Sequence, residues 1–460
     1  MRSLVFRVRG CLFSALIGMN VQAFADEGLK KEPSSKMDIE RHRDRSLNLK
    51  NAVDHIRVVF NRNPSVQADI MWKSLSSSVV GQTIFFGTED KGLDLEAYPN
   101  ALEAKTVTVY NDVRSSVVTL KGLLPKTTYY FVVKDENRNA VSKRYYFTTM
   151  SDSPNDPLYV VAGGDSRNNR EVRRRSNLVV KALAPDVVFF GGDFTSSGKT
   201  DQWNGWFDDW TFTFGDDGRV TPIVTTRGNH EYSNSALVAL FNTPSSVYYD
   251  LSFHGNLLNL YVLNTEISIS GNQLTWLSEA IKKSPNYRWN MSIYHKPMRP
   301  HTSWKSEGFE QSRHWAPLFY EYGMDLVVES DTHMMKVTWP IRPDSNGDEG
   351  FVRDDARGTV YVGEGSWGAP LRYANDDKSW TRASARMNQV KWIEITSSKT
   401  TVRTVGSDNA YDLEPVSGAG RFDPPKNLEI YSGDGGEFVM QPRQTRISRG
   451  DHGKNSRITR

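Results

Sequence analysis

Metal-binding side chains recur in this sequence just after short apolar runs. The run at 158–162 leads into Gly163-Gly164-Asp165, and the run at 187–190 into Gly191-Gly192-Asp193. The run at 223–226 is followed by Arg227-Gly228-Asn229-His230-Glu231. His295-Lys296-Pro297 follows 291–294, and Ser330-Asp331-Thr332-His333 follows 326–329. Carboxylate, imidazole and carboxamide groups are ligands for divalent and trivalent cations. A pair of cations about 3.5–4 Å apart needs one carboxylate able to bridge them and terminal ligands from rigid elements. Glycines before each aspartate let the chain turn close to the ions. Each piece alone is ordinary, since Gly-Asp after a strand is usually a turn. Five pieces in one order are what point to a two-metal centre.

Such residues converge only if the runs are neighbouring strands whose carboxyl ends gather on one side of a sheet. The intervening segments fit that demand. Residues 170–184 read as a helix stopped by Pro185, and 202–211 as a helix with Trp203, Trp206, Phe207 and Trp210 at helical spacing. Residues 273–283 read as a further helix, and 258–264, 359–362, 390–395 and 401–405 as further strands. The alternation predicts an α/β domain over 157–407, with two stacked mixed sheets flanked by helices. Residues 52–150 carry only short β-branched and aromatic runs (68–72, 83–86, 106–110, 116–120, 128–133 and 144–147), which predicts an all-β sandwich. Residues 26–51 read as a charged linker and 408–460 as a low-complexity basic tail.

Arg2, Arg7 and Arg9, the apolar stretch from Cys11 to Met19 and Ala23-Phe24-Ala25 have the pattern of a signal peptide over 1–25. That predicts export, to a periplasm or beyond the cell, without a membrane anchor. Cys11 is the only cysteine, so the remainder would contain no disulfide, zinc–thiolate site or cysteine nucleophile. The whole chain has 57 basic and 54 acidic residues; without the three signal arginines the balance is 54 against 54. A near-neutral chain is not expected to bind nucleic acid.

The five pieces resemble, in order, the motifs of the calcineurin-like metallophosphoesterases, and within them the purple acid phosphatases. Asn272-Gln273-Leu274-Thr275-Trp276-Leu277 after Leu263-Asn264-Thr265-Glu266 is also similar to the family. The turn Gly122-Leu123-Leu124-Pro125 before Tyr129-Tyr130-Phe131 resembles a fibronectin type III domain, the form of the family's N-terminal domain. The resemblance spans residues 55–405. It implies two metal ions, drawn from iron, manganese, zinc and magnesium. Asp165 would lie on the first metal, Asp193 would bridge, Asn229 and His295 would bind the second, and His333 would complete the first. His230 would stand beside the phosphate, and His301 or His314 would protonate the leaving group.

Three positions depart from the family. Ser196 stands where the family has a tyrosine, so no iron–phenolate colour is expected. Arg167 replaces a glycine and is placed either to grip a phosphate oxygen bidentately or to pair with a carboxylate. Asp331 replaces a histidine of the last motif; as a metal ligand it would favour harder ions such as manganese, magnesium or iron over zinc. The resemblance implies hydrolysis of a small phosphate monoester. A phosphodiesterase or nucleotidase on the same site stays open, as does a non-catalytic exported binding protein with a degenerate metal site. Oligomeric state is not legible. The Gly-rich 363–368 segment lacks a following helix and is not read as dinucleotide-binding. Asp344, Asn346, Asp348 and Asp355 form an incomplete calcium loop, with Glu349 where glycine is needed. Arg173-Arg174-Arg175 reads as a solvated helix face.

Overall fold

The computed structural model describes residues 53–75, 80–416 and 420–443. The expected signal peptide, residues 1–25, and the charged linker lie outside them. Two large sheets stack face to face, as the alternation of elements predicts. In the ten-stranded sheet, Leu158–Gly163, Val187–Phe190 and Ile223–Thr225 are consecutive parallel neighbours. In the seven-stranded sheet, Leu258–Val262, Trp289–Ile293, Leu326–Val328 and Val360–Gly363 are likewise parallel in succession.

Period-two alternation along these strands assigns each side chain to a layer. Val160, Ala162, Val187, Phe189 and Val224 face inward and meet Leu260, Val262, Met291, Ile293, Leu326 and Val328 of the other sheet. Val161, Val188 and Phe190 face outward against the helices Arg170–Leu183 and Thr200–Trp210. On the far side, Tyr261, Val327 and Tyr361 pack on Leu277, Trp315 and Phe319 from the helices Asn272–Ala280 and Phe309–Tyr322. The result is a helix–sheet–sheet–helix stack. Trp203, Trp206 and Trp210 are core, with Trp206 and Trp210 stacked at 5.0 Å. Truncating any one of them would cost about 3–5 kcal/mol.

The structure adds three details to the sequence reading. The N-terminal β region forms two sheets packed on each other, as expected, one of them a five-stranded sheet that contains Gln82–Gly87 and Thr128–Asp135; its other four strands also continue the ten-stranded sheet, because Val53–Val59 pairs in parallel with Ile223–Thr225. The tail does not begin at 408. Glu437–Met440 adds an edge strand beside Thr400–Gly406, and Phe422 packs on Trp392 at 4.3 Å. A few well-spaced apolar residues suffice to dock that segment, which composition alone conceals. Arg173 is not solvated; it is buried and donates to Asp209, which also accepts from Arg170 and Arg174.

Lys391 is a buried cation in the middle of the strand Gln389–Ile395. Its ammonium donates to Thr404 Oγ1 at 2.8 Å. Burial pulls its pKa down from 10.5 to about 7. The folded protein therefore binds fewer protons than the unfolded chain between those values, and stability rises with pH across that window. Lys391→Met should stabilise the fold by up to roughly 5 kcal/mol below pH 7, fading toward zero near pH 10.5. Thermal melts of both proteins at pH 6, 8 and 10 measure this; an equal gain at all three would refute it.

Candidate metal centre

The ten-stranded sheet delivers Asp165, Asp193 and Asn229 from the carboxyl ends of the parallel strands Leu158–Gly163, Val187–Phe190 and Ile223–Thr225. The seven-stranded sheet delivers His295, Asp331 and His333 from the ends of Trp289–Ile293 and Leu326–Val328. All six meet where the two sets of strand ends face each other. Asp165, Asp193, Asp331 and His333 all sit in the left-handed region, with φ of 58°, 54°, 70° and 59°. That conformation costs a non-glycine residue roughly 1–3 kcal/mol, so tertiary contacts must impose it.

Those contacts are explicit. Asp331 N donates to Asp165 Oδ2 at 2.7 Å, and His230 N to Asp193 Oδ1 at 2.9 Å. Glu231 is fully buried and accepts from the backbone N–H groups of Asp193, Phe194 and Gly228, at 3.0, 2.9 and 2.7 Å. It ties the Asp193 turn to the Asn229 turn. Gly192 has φ 89°, and any side chain there would strike the Gly228 backbone. Gly365, at φ 62°, lies so close to the Asp165 carboxylate that a Cβ would collide with it. Trp206 Nε1 donates to Ser166 Oγ, which donates to the Phe194 carbonyl, fastening both aspartate loops to the helix layer. Behind the centre, buried Lys336 donates to Glu329 and Glu364, and Glu364 receives Thr332 Oγ1.

The three histidines share one arrangement. His230 Nδ1 donates to the Ser196 carbonyl at 2.5 Å, His295 Nδ1 to Gly191 at 2.8 Å and His333 Nδ1 to Pro370 at 3.0 Å. A carbonyl only accepts, so each proton is placed on Nδ1 and each Nε2 is turned to the centre, the arrangement typical of metal-ligating imidazoles. His295 Nε2 is then 3.1 Å from Asn229 Oδ1, 3.4 Å from Asp193 Oδ1 and 3.5 Å from Asp331 Oδ1. Burial alone would favour neutral His295, but Asp193, Asp165 and Asp331 outweigh it and hold its pKa well above the usual value. The field at the centre is strongly negative.

His333 Nε2 faces Asp165 Oδ1 at 3.1 Å. Both atoms are buried and neither has a hydrogen-bond partner. A carboxylate oxygen and an imidazole nitrogen so close and so dry are well placed to share a cation. Asp165, Asp193 and His333 offer ligand atoms that all lie within 4.8 Å of one another. This donor set of carboxylates and imidazoles fits a metal ion.

Residues 119–335 match the calcineurin-like phosphoesterase family, and residues 53–149 match the purple acid phosphatase N-terminal domain. The chain belongs to the purple acid phosphatase-like metallophosphoesterases. It is 25% identical over 287 residues to human acid phosphatase type 7, covering 55% of this chain and 64% of that one. It is 23% identical over 309 residues to Arabidopsis thaliana purple acid phosphatase 15, covering 57% of each. The chain thus spans under two thirds of both relatives. The purple acid phosphatase PPD1 of yellow lupin, Lupinus luteus, shares the fold, with a TM-score of 0.67 at 14% identity over 86% of this chain and 75% of that one. PhoD also shares it, with a TM-score of 0.62 at 12% identity over 86% and 92% of the respective chains.

At this centre, the six expected ligands and His230 converge, and Arg167 joins them. Arg167 Nη1 pairs with Asp193 Oδ2 at 2.9 Å. His301 does not join them. Its imidazole is fully buried, with Nε2 on Thr381 Oγ1 at 2.7 Å and Nδ1 on the Arg299 carbonyl at 3.2 Å. Burial, then Lys336, pushes its pKa well down. The assignment of His301 as proton donor is therefore corrected: it is a structural histidine behind the centre. His314 lies on a helix beside Glu310. Sequence reading missed Lys305, whose ammonium reaches Asp331 Oδ1 at 2.6 Å. It also assigned no role to Glu231, although the Gly-Asn-His-Glu motif contains it.

Glu231→Ala leaves three buried backbone N–H groups without an acceptor. It should cost about 3–5 kcal/mol and abolish metal retention. Denaturant unfolding and elemental analysis of the purified variant test both; wild-type stability would refute the anchoring role.

Proposed function

We propose that this protein hydrolyses phosphate monoesters in a metal-dependent reaction at this centre. The buried Asp165–His333 pair, a carboxylate oxygen and an imidazole nitrogen 3.1 Å apart in one cluster with Asp193, carries the reading. Asp165, Asp193 and His333 would hold one ion, and Asn229, His295 and Asp331 a second, with Asp193 shared. When bound, iron, manganese, zinc or magnesium supplies Lewis acidity for phosphoryl oxygens and lowers the pKa of water.

The chain's own groups do the rest. His230 keeps its Nδ1 proton on Ser196 and presents Nε2 at the half-open rim, 3.8 Å from Asp193 Oδ2. As an imidazolium, His230 donates to a phosphoryl or leaving-group oxygen. Arg167 spends one donor on Asp193 and retains others for a phosphate oxygen. It is itself positioned by buried Arg173, which donates to the Arg167 carbonyl. Ser196 offers no phenolate, so a purple iron–tyrosinate band is not expected. The substrate is a small phosphate ester; a phosphodiester or nucleotide on the same site is the neighbouring reading. We also propose export, resting on the signal pattern of residues 1–25. Among the described residues, no helix is long and apolar enough to cross a membrane.

The test is to strip the protein with chelator and restore manganese, iron, zinc or magnesium singly and in pairs. Hydrolysis of p-nitrophenyl phosphate should return and exceed that of bis(p-nitrophenyl) phosphate. Asp193→Asn should remove it, and His230→Ala should lower kcat by about a hundredfold or more. Failure on both substrates with every ion would refute the activity, and a diester preference would shift the assignment to a phosphodiesterase.

A further inference from the structure

His230 is oriented through the Ser196 carbonyl, and Ser196 belongs to no helix or strand. The loop at 195–199, ahead of the helix Thr200–Trp210, therefore sets where this imidazole points. The N-terminal β region supplies part of the loop's support. Thr106–Tyr110 and Val113–Lys121 pair antiparallel through a two-residue turn, Asn111-Asp112, and the tip of that hairpin reaches the loop. Asn111 Nδ2 donates to the Gly198 carbonyl at 2.7 Å, and Asp112 N to Thr200 Oγ1 at 3.3 Å. Tyr110 Oη donates to the Glu231 carbonyl at 3.2 Å, one residue beyond His230. The approach is close: a Cβ on Gly198 would lie 3.3 Å from Tyr110 Oη and 3.5 Å from the Tyr232 ring.

We propose that Tyr110 and Asn111 are positioning residues for the reaction, through which the N-terminal β region holds the Ser196 carbonyl and His230 in place beside the metal centre. This rests on the hydrolase reading above. The tip contacts are not what joins the two regions. Val59 beside Ile223, Thr108 Oγ1 on the Ala239 carbonyl, and Arg57 Nε on the Leu240 carbonyl at 2.6 Å already do that. Asn111 is exposed, so water could satisfy its amide, yet the amide is committed to the loop. The two anchors bracket the imidazole, one on each of the loops that fix it. Among the described residues, neither side chain makes a hydrogen bond to a metal ligand, so releasing them shifts His230 without unseating the ligands. The ring of Tyr110 is held separately, edge-on to Trp203 at 6.4 Å. Asn111 has φ 47°, which glycine adopts freely, so glycine can stand there without disturbing the turn.

The experiment compares the metal-loaded wild type with Asn111→Gly, Tyr110→Phe and the double variant. Hydrolysis of p-nitrophenyl phosphate, metal content and thermal melting are measured on each. Asn111→Gly should lower kcat about tenfold and leave KM within about twofold, because a small displacement of a reacting group acts on the chemical step. Tyr110→Phe should act in the same direction, and metal content and melting temperature should match the wild type in all three. Hydrogen–deuterium exchange, which needs no turnover, should be faster at residues 195–199 in Asn111→Gly and unchanged at the Asp165 turn. An unchanged kcat in the double variant, or unchanged exchange in the loop, would overturn the proposal while an active wild type left the hydrolase reading standing. So would a fall in kcat matched by lost metal or a lowered melting temperature, the mark of a merely structural contact. A wild type that hydrolyses nothing would sink the hydrolase reading and the positioning role with it.

Discussion

A carboxylate oxygen and an imidazole lone pair, Asp165 Oδ1 and His333 Nε2, face each other 3.1 Å apart in a dry interior. Each comes from a different sheet, and the Pro370 carbonyl holds His333 Nδ1 so that Nε2 faces Asp165. A metal cation placed between them would be held by both. The surrounding structure makes sense as the apparatus that enforces that juxtaposition. Backbone carbonyls fix the imidazole protons. Left-handed turns at Asp165, Asp193, Asp331 and His333 aim the ligands inward. Glu231 and Glu364 satisfy the backbone and side-chain donors that such turns leave behind.

Enforcement of this kind needs stiff supports, and the stack of layers supplies them. The parallel strands end level with one another in register, as with Gly163 beside Phe190 and Phe190 beside Thr225. The inter-sheet core of Val160, Phe189, Met291 and Val328 holds the two sets of ends in opposition. Small residues then permit the close approach. Gly192 and Gly365 occupy points where any side chain would strike the Gly228 backbone or the Asp165 carboxylate. The strain at the centre is thus offset by packing elsewhere, the usual distribution in a site organised around charge.

Much of this is legible in the sequence because the signal is redundant. Strand, glycine and ligand recur together, so Asp165, Asp193, Asn229, His295 and His333 stand out by the order of their motifs. The helix with Trp203, Trp206 and Trp210 is legible from spacing alone. What escapes is whatever depends on distant pairing. Lys305 gains its meaning only through Asp331, twenty-six positions away. Arg173 is core because Asp209 waits on the next helix to neutralise it. His301 follows a ligand histidine in sequence, yet its side chain turns to Thr381 and packs beside Trp380. The continuity of the N-terminal strands with those that carry Asp165, Asp193 and Asn229 rests on the parallel junction of Val59 beside Ile223, which no local pattern announces.

The claim at the heart of this account is that Asp165 and His333 are metal ligands. The direct measurement is a crystal structure of protein loaded with manganese or zinc, with anomalous difference maps collected at the metal's absorption edge. The account predicts a peak between the two residues, about 2.0–2.2 Å from both Asp165 Oδ1 and His333 Nε2 and within reach of Asp193. A map without density there, with Asp165 and His333 instead separated or bridged by solvent, would contradict it.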